Sequence, residues 1–243
     1  MIPLLIIAAA YLIGAIPFGY LIARARGIDI REHGSGNIGA TNVRRVLGKP
    51  AGNLCFALDF LKGFLPTLVG GLILGYLNQP DLPAASALLW LAIGFATIAG
   101  HMFPVYLKFK GGKGVATGFG VLLAAWPHVT IPAALALVTW IVTLRLTRYV
   151  GVASCAAAIA VPVFIVLGRL LGFPTRDLLS AWPWLAVTTL LALLVVYRHR
   201  GNLARVRAGT EPRVGEARGP SETDETGSAP GEDSDADDRR TPS

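Results

Sequence analysis

Long apolar runs, separated by short loops rich in glycine and basic residues, govern what this chain can fold into. Residues 2–24, 53–76, 84–101 and 150–171 carry few charges over lengths near the ~20 residues that cross a bilayer as a helix. Runs at 115–126, 132–146 and 178–197 bring the expected count to about seven, the first two of these being shorter than a full span. A backbone in lipid must satisfy its own hydrogen bonds, so helices are the expected element. The fold class is an all-α polytopic membrane protein. Its 53% hydrophobic and 15% charged composition sets the chain apart from ordinary soluble domains. Residues 1–25 lack a basic start and run straight into the first loop, so they read as a membrane helix rather than a cleaved leader. Cys55 and Cys155 lie in apolar runs and read as small core residues.

Charge divides the chain. The net charge is +7, but residues from Glu222 onward hold eight acids and two arginines, a net of −6, which leaves +13 before them. Residues 1–212 are expected as the membrane-embedded domain. Residues 213–243, rich in Gly, Pro, Ser, Thr and acid, are expected as a disordered acidic cytoplasmic tail. The positive charge sits in short loops. Arg26, Arg31, Arg44, Arg45 and Lys49 follow the first run, and Lys108, Lys110 and Lys113 follow the third. Arg145 and Arg148 follow the fifth, and Arg198, Arg200, Arg205 and Arg207 follow the last. The alternate loops hold little beyond Asp81, His128, Arg176 and Asp177. Basic loops stay cytoplasmic, which places the N-terminus outside, the C-terminus inside, and the three basic stretches on one face.

The first stretch, residues 34–52, reads GSGNIGATNVRRVLGKPAG. Gly34 and Gly36 allow a backbone to turn its N–H groups toward an anion. Ser35, Asn37, Thr41 and Asn42 add small polar groups, and the Arg45 fork suits phosphate. Gly34, Gly36 and Gly39 also fit a dinucleotide-binding pattern, but that pattern has meaning only between a strand and a helix. The second stretch runs from His101 through Lys110, Gly111, Gly112, Lys113 and Thr117 into an apolar helix. A helix N-terminus attracts phosphate. It is not a nucleotide P-loop, because position 107 is Leu and Gly114 follows Lys113. The third stretch holds His199, Asn202, Arg205 and Glu211. Asp59 and Lys62, three apart in an apolar run, suit an ion pair, and ionisable groups within a membrane segment also mark functional sites. No Gly-x-Ser-x-Gly elbow occurs, no Asp stands five residues after any His, and no cluster has zinc spacing. Such a site favours binding phosphates and stabilising negative charge over forming a covalent intermediate.

Together, GSGNIGATNVRRVLG, GHMFPVYLKFKGGKGVAT and HRGNLARVRAGTE, in this order between apolar runs, resemble the membrane-integral bacterial glycerol-3-phosphate acyltransferases that use acyl phosphate, the PlsY family. The resemblance covers about residues 1–212. It implies a seven-helix fold and acyl transfer from acyl phosphate to the sn-1 hydroxyl of glycerol 3-phosphate. The products are lysophosphatidic acid and phosphate, in the first step of phospholipid synthesis. It also implies a multi-pass protein of the bacterial cytoplasmic membrane with the site facing the cytoplasm. Ser35, Asn37, Thr41, Asn42 and Arg45 fall in the first motif; His101, Gly111, Gly112, Lys113 and Thr117 in the second; His199, Asn202, Arg205 and Glu211 in the third. The expected roles follow from these positions. Lys113, Arg45 and the backbone of Gly111 and Gly112 hold substrate phosphates. Ser35, His199 and Asn202 position glycerol 3-phosphate and the reacting carbonyl. The partners are the two substrates and membrane lipids. No metal, cofactor, nucleic acid or obligate protein partner is expected. Gly151 stands where many members carry Ser. A transporter of a phosphate-bearing anion, or a lipid-binding scaffold, would share several of these features. The missing internal repeat and the one-sided cations argue against transport.

Overall fold

The computed structural model describes residues 1–215. Among them the chain forms ten α-helices and three 3-10 turns, with no strand. α1 (Ile2–Ala15) stops because Pro17 lacks an N–H and disfavours a helical Ile16; the chain resumes as α2 (Phe18–Arg24). The helix expected over 2–24 is therefore broken in its middle. At the break the Ile16 carbonyl accepts the Lys62 ammonium at 2.7 Å.

The first basic loop contains a 3-10 turn, Ile30–Glu32, and a helix, α3 (Ala40–Leu47), where composition alone suggests loop. Val43, Val46 and Leu47 recur at helical spacing and pack on Ala23, Ile30 and Ile38. Gly48, at φ 87°, ends α3 and starts α4 (Lys49–Ile73). Pro50 sits in the first turn of α4, where a missing N–H costs no bond, so this span begins at Lys49 rather than residue 53.

α5 (Ala84–Met102), α6 (Val115–Ala124), α7 (Thr130–Thr147), α8 (Val150–Leu170), α9 (Trp182–Arg198) and α10 (Arg200–Arg207) follow. Six segments are long and apolar enough to cross a membrane: Ile2–Arg24, Lys49–Ile73, Ala84–Leu107, Thr130–Thr147, Val150–Leu170 and Leu179–Arg198. α7 is one of them despite its short apolar run, because Pro132 lies in its first turn and does not delay its start. α6 has only ten residues. It still links the two ends of the bundle. Gly112 and Lys113 before it meet Arg198 and Asn202, whereas Trp126 and His128 after it meet Asn78 and Gln79.

Small residues let the spans approach. Gly14 of α1 lies on the Thr97 backbone of α5, and Gly100 lies on the Tyr11 carbonyl, so closely that a Cβ would overlap. Trp90 and Trp184 meet edge to face at 6.1 Å in the largest core cluster. Leu72, Val138, Ile159 and Leu193 remain exposed, as lipid-facing positions do. At the end remote from the basic stretches, Arg169 donates to Thr175 Oγ1 at 2.6 Å and to His128 Nδ1 at 3.2 Å. His128 must then carry its proton on Nε2, which donates to the Gln79 carbonyl at 2.8 Å. Burial holds this imidazole down to about 4, so it stays neutral. Arg213 and Val214, the first two residues of the expected tail, are anchored on Tyr149 and Arg148 at the turn between α7 and α8. Residues 216–243, the rest of that tail, lie outside the described residues.

Candidate active site

The second and third basic stretches meet at the end of the bundle that carries the C-terminus of α5 and the N-terminus of α6. After Met102 the chain turns back. The Gly111 N–H donates to the Met102 carbonyl at 3.2 Å and the Gly112 N–H to the His101 carbonyl at 3.1 Å. Arg198, at the end of α9, donates to the Gly111 and Gly112 carbonyls at 3.1 and 2.6 Å. Both peptide groups are thus engaged within the protein. In this structure the Gly111 and Gly112 amides, expected to cradle phosphate, are turned toward the Met102 and His101 carbonyls. Gly112 serves by lacking a side chain, because its Cα lies against the His101 ring, where a Cβ would overlap Nε2. Lys110 is exposed on the loop.

Lys113, held by this turn, is half-buried and donates to Asn202 Oδ1. Asn202 Nδ2 donates to Glu211 Oε1 at 2.5 Å, and Arg205 Nε donates to Glu211 Oε2 at 2.7 Å. One carboxylate thus orients an amide and a guanidinium around one ammonium. An ammonium has three hydrogens, so Lys113 retains donors beyond Asn202. Burial holds its pKa down to about 8, Glu211 opposes that, and Arg205 and Arg198 reinforce it. His199 is buried, with Nδ1 2.8 Å from the Val195 carbonyl. That contact places the proton on Nδ1 and the lone pair on Nε2. Burial first, then the Lys113 charge, hold this imidazole down to about 4. Gly151, at the start of α8, lies where a Cβ would stand 2.9 Å from Asn202 Cβ and 3.5 Å from His199 Cδ2.

In the first stretch two asparagines hold the chain itself. Asn42 Nδ2 donates to the His33 and Ile30 carbonyls at 3.0 and 3.4 Å, and its Oδ1 accepts from the Ser35 amide at 2.9 Å. Asn37 Oδ1 accepts from the Gly39 amide at 2.9 Å. Gly34 and Gly36 take positive φ in the turns these bonds close. The Ser35 residue is exposed. Thr41 and Arg45 lie one helical turn apart, exposed on α3, opposite its buried Asn42 and Val43.

A buried polar chain connects the first stretch to the second. Cys55 Sγ lies 4.0 Å from the Ile38 carbonyl and 3.6 Å from Asp59 Oδ2. Asp59 Oδ1 pairs with Lys62 Nζ at 2.7 Å and stands 3.6 Å from His101 Nδ1. The three charged or titratable side chains are each at most 4% exposed. His101, expected at the substrate, lies inside the bundle between Asp59 and Gly112. Thr117 is also fully buried, and its hydroxyl has no hydrogen-bond partner. Sequence reasoning did not assign Arg198 its clamp on the glycine turn. Nothing but its position at the end of an apolar run marked it, and a basic residue there usually denotes only orientation.

The family model for glycerol-3-phosphate acyltransferase matches residues 4–209. The chain belongs to that family. A glycerol-3-phosphate acyltransferase of Thermosynechococcus vestitus is 42% identical over 212 residues, covering 86% of this chain and 94% of that one. One from Aquifex aeolicus is 40% identical over 212 residues, covering 86% and 98%. Among solved structures, PlsY, an integral membrane glycerol 3-phosphate acyltransferase, is similar in two forms. Its glycerol 3-phosphate form gives a TM-score of 0.74 and its lysophosphatidic acid form 0.73, each at 39% identity over 88% of this chain and 96% of that chain. This glycerol-3-phosphate acyltransferase is an integral membrane enzyme, and the joined second and third stretches form its candidate active site.

Proposed function

We propose that this acyltransferase moves an acyl group from acyl phosphate to the sn-1 hydroxyl of glycerol 3-phosphate at the cytoplasmic face of the bacterial membrane. The observation that carries this reading is the array of Lys113, Asn202, Arg205 and Glu211, a surplus of oriented donors with no base attached to a nucleophile. Lys113 and Arg45 hold substrate phosphates, while Ser35, His199 and Asn202 position the hydroxyl and the carbonyl. Placing two bound reactants in line removes much of the barrier. Donors aimed at the developing oxyanion remove more. An open apolar groove of about 290 Å³, lined by Ile16, Pro17, Tyr20, Leu21, Tyr106 and Leu107, suits an acyl chain.

The reaction balances without an acyl-enzyme. The glycerol oxygen bonds to the acyl carbon, the bond from that carbon to the phosphate oxygen breaks, and the hydroxyl proton leaves. His199, held to about 4, is a weak base. A phosphate with a second pKa of about 6 is the better acceptor. The proton therefore goes to a substrate phosphate. The glycerol 3-phosphate and lysophosphatidic acid forms of PlsY support glycerol 3-phosphate as the acyl acceptor and lysophosphatidic acid as the product. Purified protein in detergent, given acyl phosphate and glycerol 3-phosphate, should release phosphate and form lysophosphatidic acid in equal amounts. Phosphate release that ignores glycerol 3-phosphate would contradict the assignment.

A further inference from the structure

Glu211 orients both Asn202 and Arg205, yet it lies beyond the last helix, on an irregular tail that needs its own anchor. That anchor is on another element. Arg148 occupies the turn between α7 and α8, with φ 62°. Its Nη2 and Nε donate to the Val214 carbonyl at 2.9 and 3.2 Å, and its own carbonyl accepts from the Val214 amide at 2.9 Å. Next to it, Arg213 Nε donates to the Tyr149 hydroxyl at 3.1 Å, with the guanidinium 5.5 Å from the ring centroid. Between these bonds and α10, the Thr210 and Glu211 amides close on the Arg205 carbonyl at 2.8 and 3.2 Å. The segment from Glu211 to Gly215 is therefore a strap fixed at both ends, with the carboxylate near its first fixed point. Arg148 belongs to none of the three motif stretches, and its charge alone reads as a mark of the basic face.

We propose that Arg148 is a positioning residue, which clamps the strap at Val214 and so holds the Glu211 carboxylate on Asn202 and Arg205 around Lys113. The inference rests on the reaction assigned above. Releasing the strap at Val214 leaves Glu211 tethered at one end only, by the Arg205 carbonyl, so its carboxylate loosens and Asn202 loses the fixed acceptor that sets which way its amide faces. The Lys113 ammonium then keeps its neighbouring cations, Arg205 and Arg198, and its neighbours His199 and Cys155, but loses Glu211, the one carboxylate close to it among the described residues. Its charged form is disfavoured, so activity that needs the ammonium must fail at lower pH.

The test compares three variants with the full-length wild type in one detergent, at matched amounts of folded protein. Arg148→Ala removes the side-chain clamp, Val214→Pro removes the amide donor while leaving Arg148 in place, and Arg145→Ala removes a nearby exposed charge on α7 as the control. Arg148→Ala and Val214→Pro should each raise KM for a phosphate substrate about tenfold, the cost of a charge-assisted hydrogen bond. Both should move the alkaline limb of the pH–rate profile to lower pH, and Arg145→Ala should do neither. Arg148→Lys, with one donor group in place of the fork, should recover part of the loss. A wild type active in this assay, with Arg148→Ala matching Arg145→Ala in KM and in the alkaline limb, would overturn the strap. A wild type without acyl transfer would instead overturn the assigned reaction.

Discussion

Among single residues, Lys113 is the one on which the proposed function rests most. The turn that presents it is closed by Arg198 and backed by His101, so its position does not depend on a flexible loop. Its pKa of about 8 gives a sign for the pH dependence. The ammonium is present below that value and lost above it, so kcat/KM should fall as pH rises through about 8. Lys113→Ala should cost about 2–4 kcal/mol in transition-state terms, the range for losing one donor to a developing oxyanion. In Lys113→Arg any residual activity should lose the alkaline limb, since a guanidinium does not titrate there. A limb that persists unchanged in Lys113→Arg would assign it to another group. The sequence marked Lys113 and Asn202 separately, but they stand 89 positions apart and only folding shows that they bond. It could not show that Asn42 and Gly112 work inward. A polar or small residue in a loop has the same composition whether it meets a ligand or its own chain.

At the scale of elements, the broken first span and the buried pair on α4 explain each other. Lys62 is held by Asp59 and by the carbonyl at the Ile16 break, both at 2.7 Å. Removing one partner leaves an uncompensated charge in the bundle, and such losses cost about 3–5 kcal/mol. Lys62→Met should therefore lower thermal stability in detergent strongly, and adding Asp59→Asn should restore part of it. Simple addition of the two losses would show that the pair is not coupled. The pair was legible from spacing alone. The break at Pro17 was carried by a single proline inside an apolar run, and α3 by an eight-residue amphipathic pattern hidden among glycines. Short elements of this kind give too little periodicity to outweigh turn-forming composition.

At the scale of the whole molecule, the apolar runs forecast the helical membrane architecture because lipid leaves the backbone few choices. The contacts bring Gly111 and Gly112, Arg198, Asn202, Arg148 and Val214 to one end, and Asn78, Gln79, His128 and Arg169 to the other. The basic loops predict that the end carrying Lys113 faces the cytoplasm. Ser35→Cys and Lys110→Cys introduce exposed thiols into a chain whose own Cys55 and Cys155 are buried. In intact cells neither new thiol should react with an impermeant reagent, and both should react after the cells are opened. Labelling of either from outside would invert the orientation.

Direct transfer between two bound substrates is tested by acyl phosphate alone. Enzyme mixed with acyl phosphate, before any glycerol 3-phosphate is added, should show no rapid release of phosphate equal to the enzyme present. Its intact mass should remain that of the unmodified chain, and Ser35→Ala should not alter either result. A stoichiometric burst, with an acyl group on Ser35 that then passes to glycerol 3-phosphate, would instead show a covalent acyl-enzyme.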